Sequence, residues 1–333
     1  MYLRSLCFFL LVALTSCNKD GFNISNNSKL KVTPSVGIPV KSLIDESNIM
    51  EKSVGMHVTD FSGTSLYNGI SDYSLTRLTY GSSWVVDDGF GNSLDIVLSS
   101  NNAKIYSFYP YSPLSGVGES AFVNINIPKV RNNTDMTDYL WCSQSTTIRG
   151  GANLINASNS NVILSLNHAM SQIGFIIYKD GYVGDAFLNE FEIIDNSALP
   201  SLKINKSGTN DLRMKLSNGA IEGGEYTSSM RVENINKQIV LNSDPGTESE
   251  LLYNNINFRI LLAPFSVADR SKIQFRVRID GVDYYASVEG STAISFNSGE
   301  LIYFKARLSP KMLNISGVYS WNNVDYEIIS GYN

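Results

Sequence analysis

The sequence predicts an all-β protein made of two tandem antiparallel β-sandwich domains. Apolar and polar residues alternate with period two along much of the chain, as they do in strands that bury one face. The segments between these runs carry Asn, Gly, Ser and Asp, which tolerate tight turns. A chain of 333 residues is long enough for about two domains. The runs are too many for a single seven-stranded sandwich, and no convincing amphipathic helix interrupts them.

The composition excludes several classes of protein. Hydrophobic residues make up 43% of the chain and allow a sizeable core, which argues against intrinsic disorder. The net charge of -5 argues against nucleic acid as a partner, because such proteins need a basic surface to displace counterions. Two histidines and three cysteines leave few ligands for a zinc or iron–sulfur site and no disulfide framework. We therefore expect neither a metal site nor a cofactor.

The first residues resemble an export signal. The apolar run Leu6–Leu14 is too short for the ~20 residues of a membrane-spanning helix. It leads into Leu14-Thr15-Ser16-Cys17, which resembles the lipobox of bacterial lipoproteins, in which diacylglycerol is attached to the cysteine. The alternative is an ordinary signal peptide with an unrelated cysteine. We predict a signal peptide over residues 1–16, lipid attachment at Cys17 and a flexible tether over residues 17–29.

The clearest strand signal is a hairpin near residue 280. Ile273–Ile279 alternates, Asp280-Gly281 supplies a two-residue turn, and Val282–Val288 follows as the second strand. The other predicted strands are Leu30–Pro34, Val54–Asp60, Leu94–Ser99, Ile105–Tyr109, Val123–Ile127, Val162–Asn167, Ile173–Lys179, Leu188–Ile194, Leu212–Leu216, Ile239–Leu241, Asn257–Leu262, Leu301–Leu308 and Val324–Ile329. We place the N-terminal sandwich at residues 30–172 and the C-terminal sandwich at residues 173–333.

Residues that could perform chemistry are isolated in the sequence. His57 and His168 lack a second histidine or a carboxylate at ligand spacing, so we expect each to be a hydrogen-bonded structural residue. Cys142 lies in an apolar setting, which favours a buried thiol over a nucleophile. Asp135 and Asp138 could form the carboxylate pair of a glycoside hydrolase, but their spacing does not establish one. We predict no catalytic residue and a protein that is not an enzyme.

Two further patterns have alternative interpretations. Asp87-Asp88-Gly89-Phe90-Gly91 suits either a calcium site or an exposed hairpin turn, and we favour the turn because further spaced acids are missing. Tyr106, Tyr109 and Tyr111 form either an aromatic platform for glycans or part of the packing of a sandwich, and we favour packing.

Six segments, in order along the chain, resemble the fimbrillin family, the lipoprotein subunits of surface fimbriae in Gram-negative anaerobes. They are Ile105–Tyr111 with its Tyr-Pro-Tyr ending, Thr137–Trp141, Leu164–Phe175 with its His-Ala pair, Phe258–Pro264, Phe296–Tyr303 and Ile315–Trp321. The resemblance implies two Greek-key, transthyretin-like sandwiches, export as a lipoprotein and assembly by strand exchange. In that scheme a trypsin-like protease removes an N-terminal strand, and a neighbour's C-terminal strand replaces it.

The early basic residues depart from the family pattern. Relatives are commonly cut after an arginine early in the mature chain, whereas no arginine occurs here between Arg4 and Arg77. The early basic residues are Lys29, Lys31, Lys41 and Lys52. The departure argues against arginine-specific processing and leaves shaft, tip and anchor roles open.

The end of the chain predicts a strand that another subunit could accept. Val324, Tyr326 and Ile328 alternate with acidic residues, and only four residues follow the run. A strand at the end of a chain can leave its own domain without tearing a loop. The alternative is a permanent edge strand of the second sandwich.

These observations together predict a structural or adhesive subunit of a surface fimbria at the outer membrane. Its expected partners are other fimbrial subunits, the outer membrane through the Cys17 lipid, and ligands on host or bacterial surfaces. One alternative is a monomeric, surface-exposed glycan-binding lipoprotein. Another is a glycoside hydrolase.

Overall fold

The computed structural model describes residues 27–36, 45, 48–147, 153–209, 211–247, 254–321 and 326–331. Within these ranges the chain is all-β, and its helical segments are three-residue 3-10 turns. These turns are Ile49–Glu51, Tyr67–Gly69, Ser71–Tyr73, Gly118–Ser120, Asn133–Asp135 and Arg270–Lys272. The part of the chain that the structure describes contains no helix long and apolar enough to cross a membrane.

The strands follow one another closely along the chain. They are β1 (Ser28–Lys29), β2 (Lys31–Val36), β3 (Val54–Asp60), β4 (Thr76–Tyr80), β5 (Trp84–Asp87), β6 (Val97–Leu98), β7 (Ala103–Tyr109), β8 (Leu114–Ser115), β9 (Phe122–Asn124), β10 (Val130–Asn132), β11 (Leu140–Gln144), β12 (Asn161–His168), β13 (Ser171–Lys179), β14 (Phe187–Asp195), β15 (Leu202–Ile204), β16 (Arg213–Lys215), β17 (Ile221–Glu222), β18 (Glu225–Thr227), β19 (Ser229–Glu233), β20 (Lys237–Gln238), β21 (Phe258–Leu262), β22 (Phe265–Val267), β23 (Ile273–Ile279), β24 (Val282–Ser287), β25 (Ile294–Phe296), β26 (Leu301–Leu308), β27 (Leu313–Trp321) and β28 (Tyr326–Gly331).

The first half of the chain forms a seven-stranded sheet in the order β2-β12-β11-β7-β3-β4-β5. One face of this sheet builds the first hydrophobic core, to which Val54, Met56 and Ile105 contribute side chains without solvent exposure. Tyr106 and Phe108 alternate with Ile105 along β7 and pack into the second core. The central strands of the sheet are therefore buried on both faces.

The second half of the chain forms a sandwich around the larger core. A sheet in the order β21-β13-β26-β27-β28 packs against a sheet in the order β10-β19-β14-β23-β24, in which β20 also pairs with β14. Between the sheets lie Phe175, Phe191, Phe275 and Phe304, and the ring centroids of Phe175 and Phe275 are 4.6 Å apart. Contacts of this kind between rings stabilise a core beyond the contribution of the apolar surface that they bury. The predicted all-β sandwich architecture is confirmed.

Three strand pairs differ from the expected antiparallel pattern. β2 runs parallel to β12, β10 runs parallel to β19, and β13 runs parallel to β26. Period-two alternation is the same in parallel and antiparallel strands, so the sequence pattern could not reveal these directions. The remaining named pairs are antiparallel, as expected.

The predicted hairpin is confirmed in its register. Ile279 and Val282 are opposite each other, and Asp280 and Gly281 have φ values of 48° and 79°. Positive φ at both central residues is the requirement of a tight type I′ hairpin turn. The Asp280 carboxylate also accepts hydrogen bonds from the backbone N–H groups of Ala186 and Phe187, at 3.0 and 2.8 Å. The turn therefore also fixes the start of β14.

The segment between β7 and β11 crosses to the second half of the molecule. β9 pairs with β16, and β10 pairs with β19. Apart from this segment, each of the larger sheets is built from strands of the same half of the chain. A division into domains at residues 172 and 173 remains our proposal.

Candidate functional site: the terminal strands and the groove beside the first

The strand β2 lies at one edge of the first sheet. Its alternating sequence places Val32, Pro34 and Val36 in the buried layer, while Lys31 and Thr33 face solvent. It runs parallel to β12, with Lys31 opposite Asn161 and Val36 opposite Leu166. Proline lacks a backbone N–H, and an edge strand is one of the few sheet positions that tolerates it.

The residues before β2 pair with a different strand from β2 itself. β1 pairs antiparallel with β6, then the Leu30 N–H donates to the Ile96 carbonyl at 2.8 Å and the Lys31 N–H donates to the Ser160 carbonyl at 2.8 Å. Leu30 is buried in the first core together with Val32 and Val36. A single segment of ten described residues thus closes one side of that core.

A groove lies along the other side of β2. The first sheet curls so that its two edge strands, β2 and β5, line the same groove of about 410 Å³. Its walls are residues 29–33, 83–86 and 93–95. In the described part of the chain no strand pairs with this side of β2, so hydrogen bonds of the sheet hold the strand from the β12 side alone. Burying Leu30, Val32 and Val36 contributes roughly 5–9 kcal/mol gross.

The last strand lies at the edge of the second half of the molecule. β28 pairs antiparallel with β27, and Tyr326 and Ile328 lie opposite Trp321 and Tyr319 in the register. Val324, the third residue of the predicted donor strand, lies outside the described residues. The isolated chain therefore has the predicted strand at an edge of its own sheet, and its transfer to a neighbour stays a prediction.

The predicted export features also lie outside the described residues. The structure does not describe residues 1–26, which contain the predicted signal peptide and the lipid attachment site Cys17. The predicted tether is described from Asn27 onward, where β1 already forms part of the fold. Lipid attachment at Cys17 stays a prediction.

The two histidines are placed by hydrogen bonds. His57 donates from Nδ1 to the Ser74 carbonyl at 2.6 Å and accepts at Nε2 from the Gly118 N–H at 2.9 Å. This pair of bonds requires the neutral imidazole, and burial lowers the pKa of His57. His168 Nδ1 lies 3.0 Å from Asp138 Oδ2, and both side chains are buried. The structure thus gives both histidines structural partners.

The other candidates for chemistry lie in different surroundings. Asp138 is buried against His168, whereas Asp135 is exposed and accepts a hydrogen bond from the Asn132 amide at 2.8 Å. Cys142 is buried in the first core, and desolvation raises its pKa to about 12, which leaves the thiol unreactive at neutral pH. Among the described residues no group of three or more His, Cys, Asp or Glu side chains could hold a metal ion.

The tyrosine cluster packs rather than forming a platform. Tyr106 has no solvent exposure, and its hydroxyl donates to Glu119 at 2.8 Å. Burial and the neighbouring Glu119 carboxylate raise the pKa of Tyr106. Tyr109 and Tyr111 are half-buried. The interpretation as packing is therefore supported for this cluster.

The Asp-Asp-Gly-Phe-Gly segment forms a turn. Asp87 accepts a hydrogen bond from the Arg77 Nε at 3.0 Å and another from the Gly89 N–H at 2.7 Å. Asp88 accepts from the Phe90 and Asn92 N–H groups at 2.8 and 3.1 Å. Both carboxylates are occupied by the hairpin that they shape.

Solved structures with the same architecture come from Bacteroides species. No protein-family profile matches this chain, and no curated protein matches it. A candidate cell adhesion protein from Bacteroides ovatus superposes with a TM-score of 0.55 at 14% identity, covering 90% of this chain and 99% of the other. A fimbrial protein from Bacteroides vulgatus superposes with a TM-score of 0.53 at 11% identity, covering 88% of this chain and 99% of the other.

The resemblance to fimbrillins is confirmed at the level of the fold. A candidate cell adhesion protein from Bacteroides uniformis superposes with a TM-score of 0.55 at 10% identity and is covered over 100% of its length. Both halves of this chain thus take part in the shared architecture. Identities this low assign no residue of this chain a role.

Proposed function

We propose that this protein is a structural or adhesive subunit of a surface fimbria without catalytic activity. The observation that carries the proposal is the placement of β1 and β2. They close the first core, they belong to the N-terminal end of the described chain, and β2 is hydrogen-bonded within its sheet along one edge. Removing them leaves every later strand of the chain covalently intact, and β6 loses its pairing with β1.

Release of this segment creates an acceptor site. The buried faces of Leu30, Val32 and Val36 leave an apolar channel beside β12, whose Val162 and Leu164 are also buried. A new strand can restore both the backbone hydrogen bonds and the buried side chains, as in donor-strand complementation. Three apolar side chains in such a strand contribute roughly 5–9 kcal/mol gross, enough for a long-lived joint between subunits.

The C-terminal strand supplies the matching donor. β28 forms one ladder, with β27, so leaving the sheet breaks one set of strand contacts. Val324, Tyr326 and Ile328 recur at every second position and fit the alternation of the segment that they replace. Other copies of this chain or related subunits are the proposed partners.

Lipid attachment provides the route to the surface. In this proposal Cys17 carries the lipid after removal of residues 1–16, and several acyl chains hold the precursor in the outer membrane. Assembly then proceeds at the cell surface. Replacing Cys17 with Ala is expected to abolish fatty-acid labelling and to remove the protein from the outer-membrane fraction.

Controlled release of the segment that contains β1 and β2 tests the proposal. A site for a sequence-specific protease is placed between residues 36 and 48 of the soluble chain, so that the protein folds before the cut. After cleavage we expect polymers that persist in mild detergent as a ladder. The matched control is the same chain ending at Trp321, which should remain unable to form a ladder because it lacks a donor. A folded, cleaved chain that stays monomeric, or a ladder from the control, would overturn the proposal.

A further inference from the structure

We propose that the groove beside Phe90 binds a neutral saccharide through the exposed ring and the surrounding hydroxyl and carboxylate groups. This groove adjoins the one beside β2, with which it shares Ser93 and Leu94, and has a volume of about 440 Å³. Small-molecule sites in proteins span roughly 300–1,000 Å³. The proposal concerns a ligand rather than a neighbouring subunit, so it does not depend on the proposed assembly.

The Phe90 ring is displayed at the tip of the turn that follows β5. The residue is 90% exposed, and it lines the groove. Exposed hydrophobic residues scattered singly over a surface are ordinary. This ring differs in its setting, because it stands beside a concave surface whose other walls are mostly polar.

The turn fixes the backbone that carries the ring. The Asp88 carboxylate accepts from the Phe90 N–H at 2.8 Å, and it also accepts from the backbone and side-chain N–H groups of Asn92 at 3.1 and 2.8 Å. Gly89 and Gly91 have positive φ, which lets the chain bend sharply on either side of the ring. A preorganised turn loses little conformational entropy when a ligand binds.

The chemistry of the walls favours a ligand rich in hydroxyl groups. Hydrogen-bonding side chains line the groove beside the ring, namely Ser71, Asp72, Ser74, Asn92 and Ser93. A pyranose presents one face of C–H groups and an edge of hydroxyls. The negative face of an aromatic ring attracts C–H groups, while carboxylate and hydroxyl oxygens accept from the sugar hydroxyls.

The charge of the groove indicates the charge of the saccharide that it can bind. Neither Lys nor Arg lines it, whereas Asp72 and Asp88 do, so an anionic saccharide is disfavoured. The Asp88 oxygens are already occupied by three hydrogen bonds of the turn. Asp72 is therefore the principal carboxylate for a ligand. One carboxylate among several neutral hydroxyl groups suits a neutral sugar better than a strongly basic peptide.

Saturation-transfer NMR on the purified full chain tests this assignment. The probes are the methyl glycosides of glucose, galactose, mannose and N-acetylglucosamine. We expect saturation transfer to the ring protons of at least one of them. Phe90→Ala should abolish the signal, Phe90→Tyr should retain it, and Asp72→Asn should weaken it. The matched control is Phe61→Ala, which removes a half-exposed ring from another loop and should leave the signal unchanged.

We expect Phe90→Ala to fold like the parent protein, so that a lost signal reports lost binding. Phe90 lies outside the hydrophobic cores, so the thermal midpoint of Phe90→Ala should match that of the parent protein. Absence of a signal with all four glycosides would overturn the proposal, and so would a signal that persists in Phe90→Ala. Binding of an oligolysine peptide that depends on Phe90, without binding of any glycoside, would also overturn it and would identify a cationic ligand instead.

Discussion

The strands β2 and β28 lie near the two ends of the described chain, each at the edge of a sheet, and they differ in their surroundings. β2 contributes Val32 and Val36 to the first core and borders a groove on its unpaired side. β28 follows β27 and extends the same sheet by one strand. Loss of β2 uncovers a core, whereas loss of β28 uncovers a new sheet edge. In the proposed assembly, this difference assigns the acceptor site to one end of the chain and the donor strand to the other.

A buried charge in β2 should produce the largest effect. Val32→Asp places a carboxylate in the first core, where burial without a partner is unfavourable by about 3 kcal/mol or more. Lys31→Asp is the matched control, because Lys31 is the neighbouring exposed residue of the same strand. Urea unfolding of both variants measures the difference. Equal losses of unfolding free energy would show that β2 does not cover the core in solution.

Replacing His168, which bonds to residues from both halves of the chain, should lower the free energy of unfolding by less than Val32→Asp does. The His168 ring bonds to Asp138, and the Ser298 hydroxyl donates to the His168 carbonyl at 2.7 Å. His168→Ala leaves the buried Asp138 without its histidine partner and should lower the unfolding free energy by about 1–3 kcal/mol. Asp135→Ala is the control on an exposed acid of the same segment. If both variants unfold at the same urea concentration, the pair has no structural role.

Removal of β28 should have a smaller effect on stability than either change. A chain ending at Trp321 loses an edge strand, and we expect its unfolding free energy to fall by about 2 kcal/mol or less. Circular dichroism and urea unfolding check that the fold persists. An unfolded truncated chain would mean that β28 is essential to its own domain, and the donor assignment would then fail.

Acid should lower the free energy of unfolding by a modest amount through His57. Burial lowers the pKa of His57 in the folded state from 6.5, so the unfolded state takes up a proton first. Stability is complete above pH 6.5 and is lost as the pH falls toward the lowered value, by up to about 1.4 kcal/mol per pH unit. Urea unfolding between neutral and mildly acidic pH measures this slope. The slope should be shallower in His57→Gln, and an unchanged slope would show that His57 does not titrate on unfolding.

Local signals in the sequence predicted local structure well. The Asp280-Gly281 hairpin was predictable because the two turn residues and the flanking alternation are contiguous. The parallel pairing of β2 with β12 was not predictable, because alternation carries no information about a partner far along the chain. The structural role expected for His168 was right, but its partner Asp138 lies thirty residues earlier and only the fold brings them together.

The candidate sites show the same limit: a local pattern marks an element but does not reveal its distant neighbours. Val324, Tyr326 and Ile328 were chosen from alternation alone, which marks a strand but does not say which chain it joins. The sequence places Phe90 in a turn, but the groove beside it also depends on residues 71–75, which the turn alone does not reveal.

Thiol labelling of Cys142 tests the central claim most directly. Cys142 shares the first core with Val32, and its burial keeps it unreactive. In a soluble chain ending at Trp321, with Cys142 as its single thiol, cleavage after β2 and removal of the released segment should speed labelling. A peptide of residues 322–333 should restore protection, whereas the same peptide with Tyr326→Asp should not. Continued fast labelling in the presence of the unmodified peptide would contradict the account.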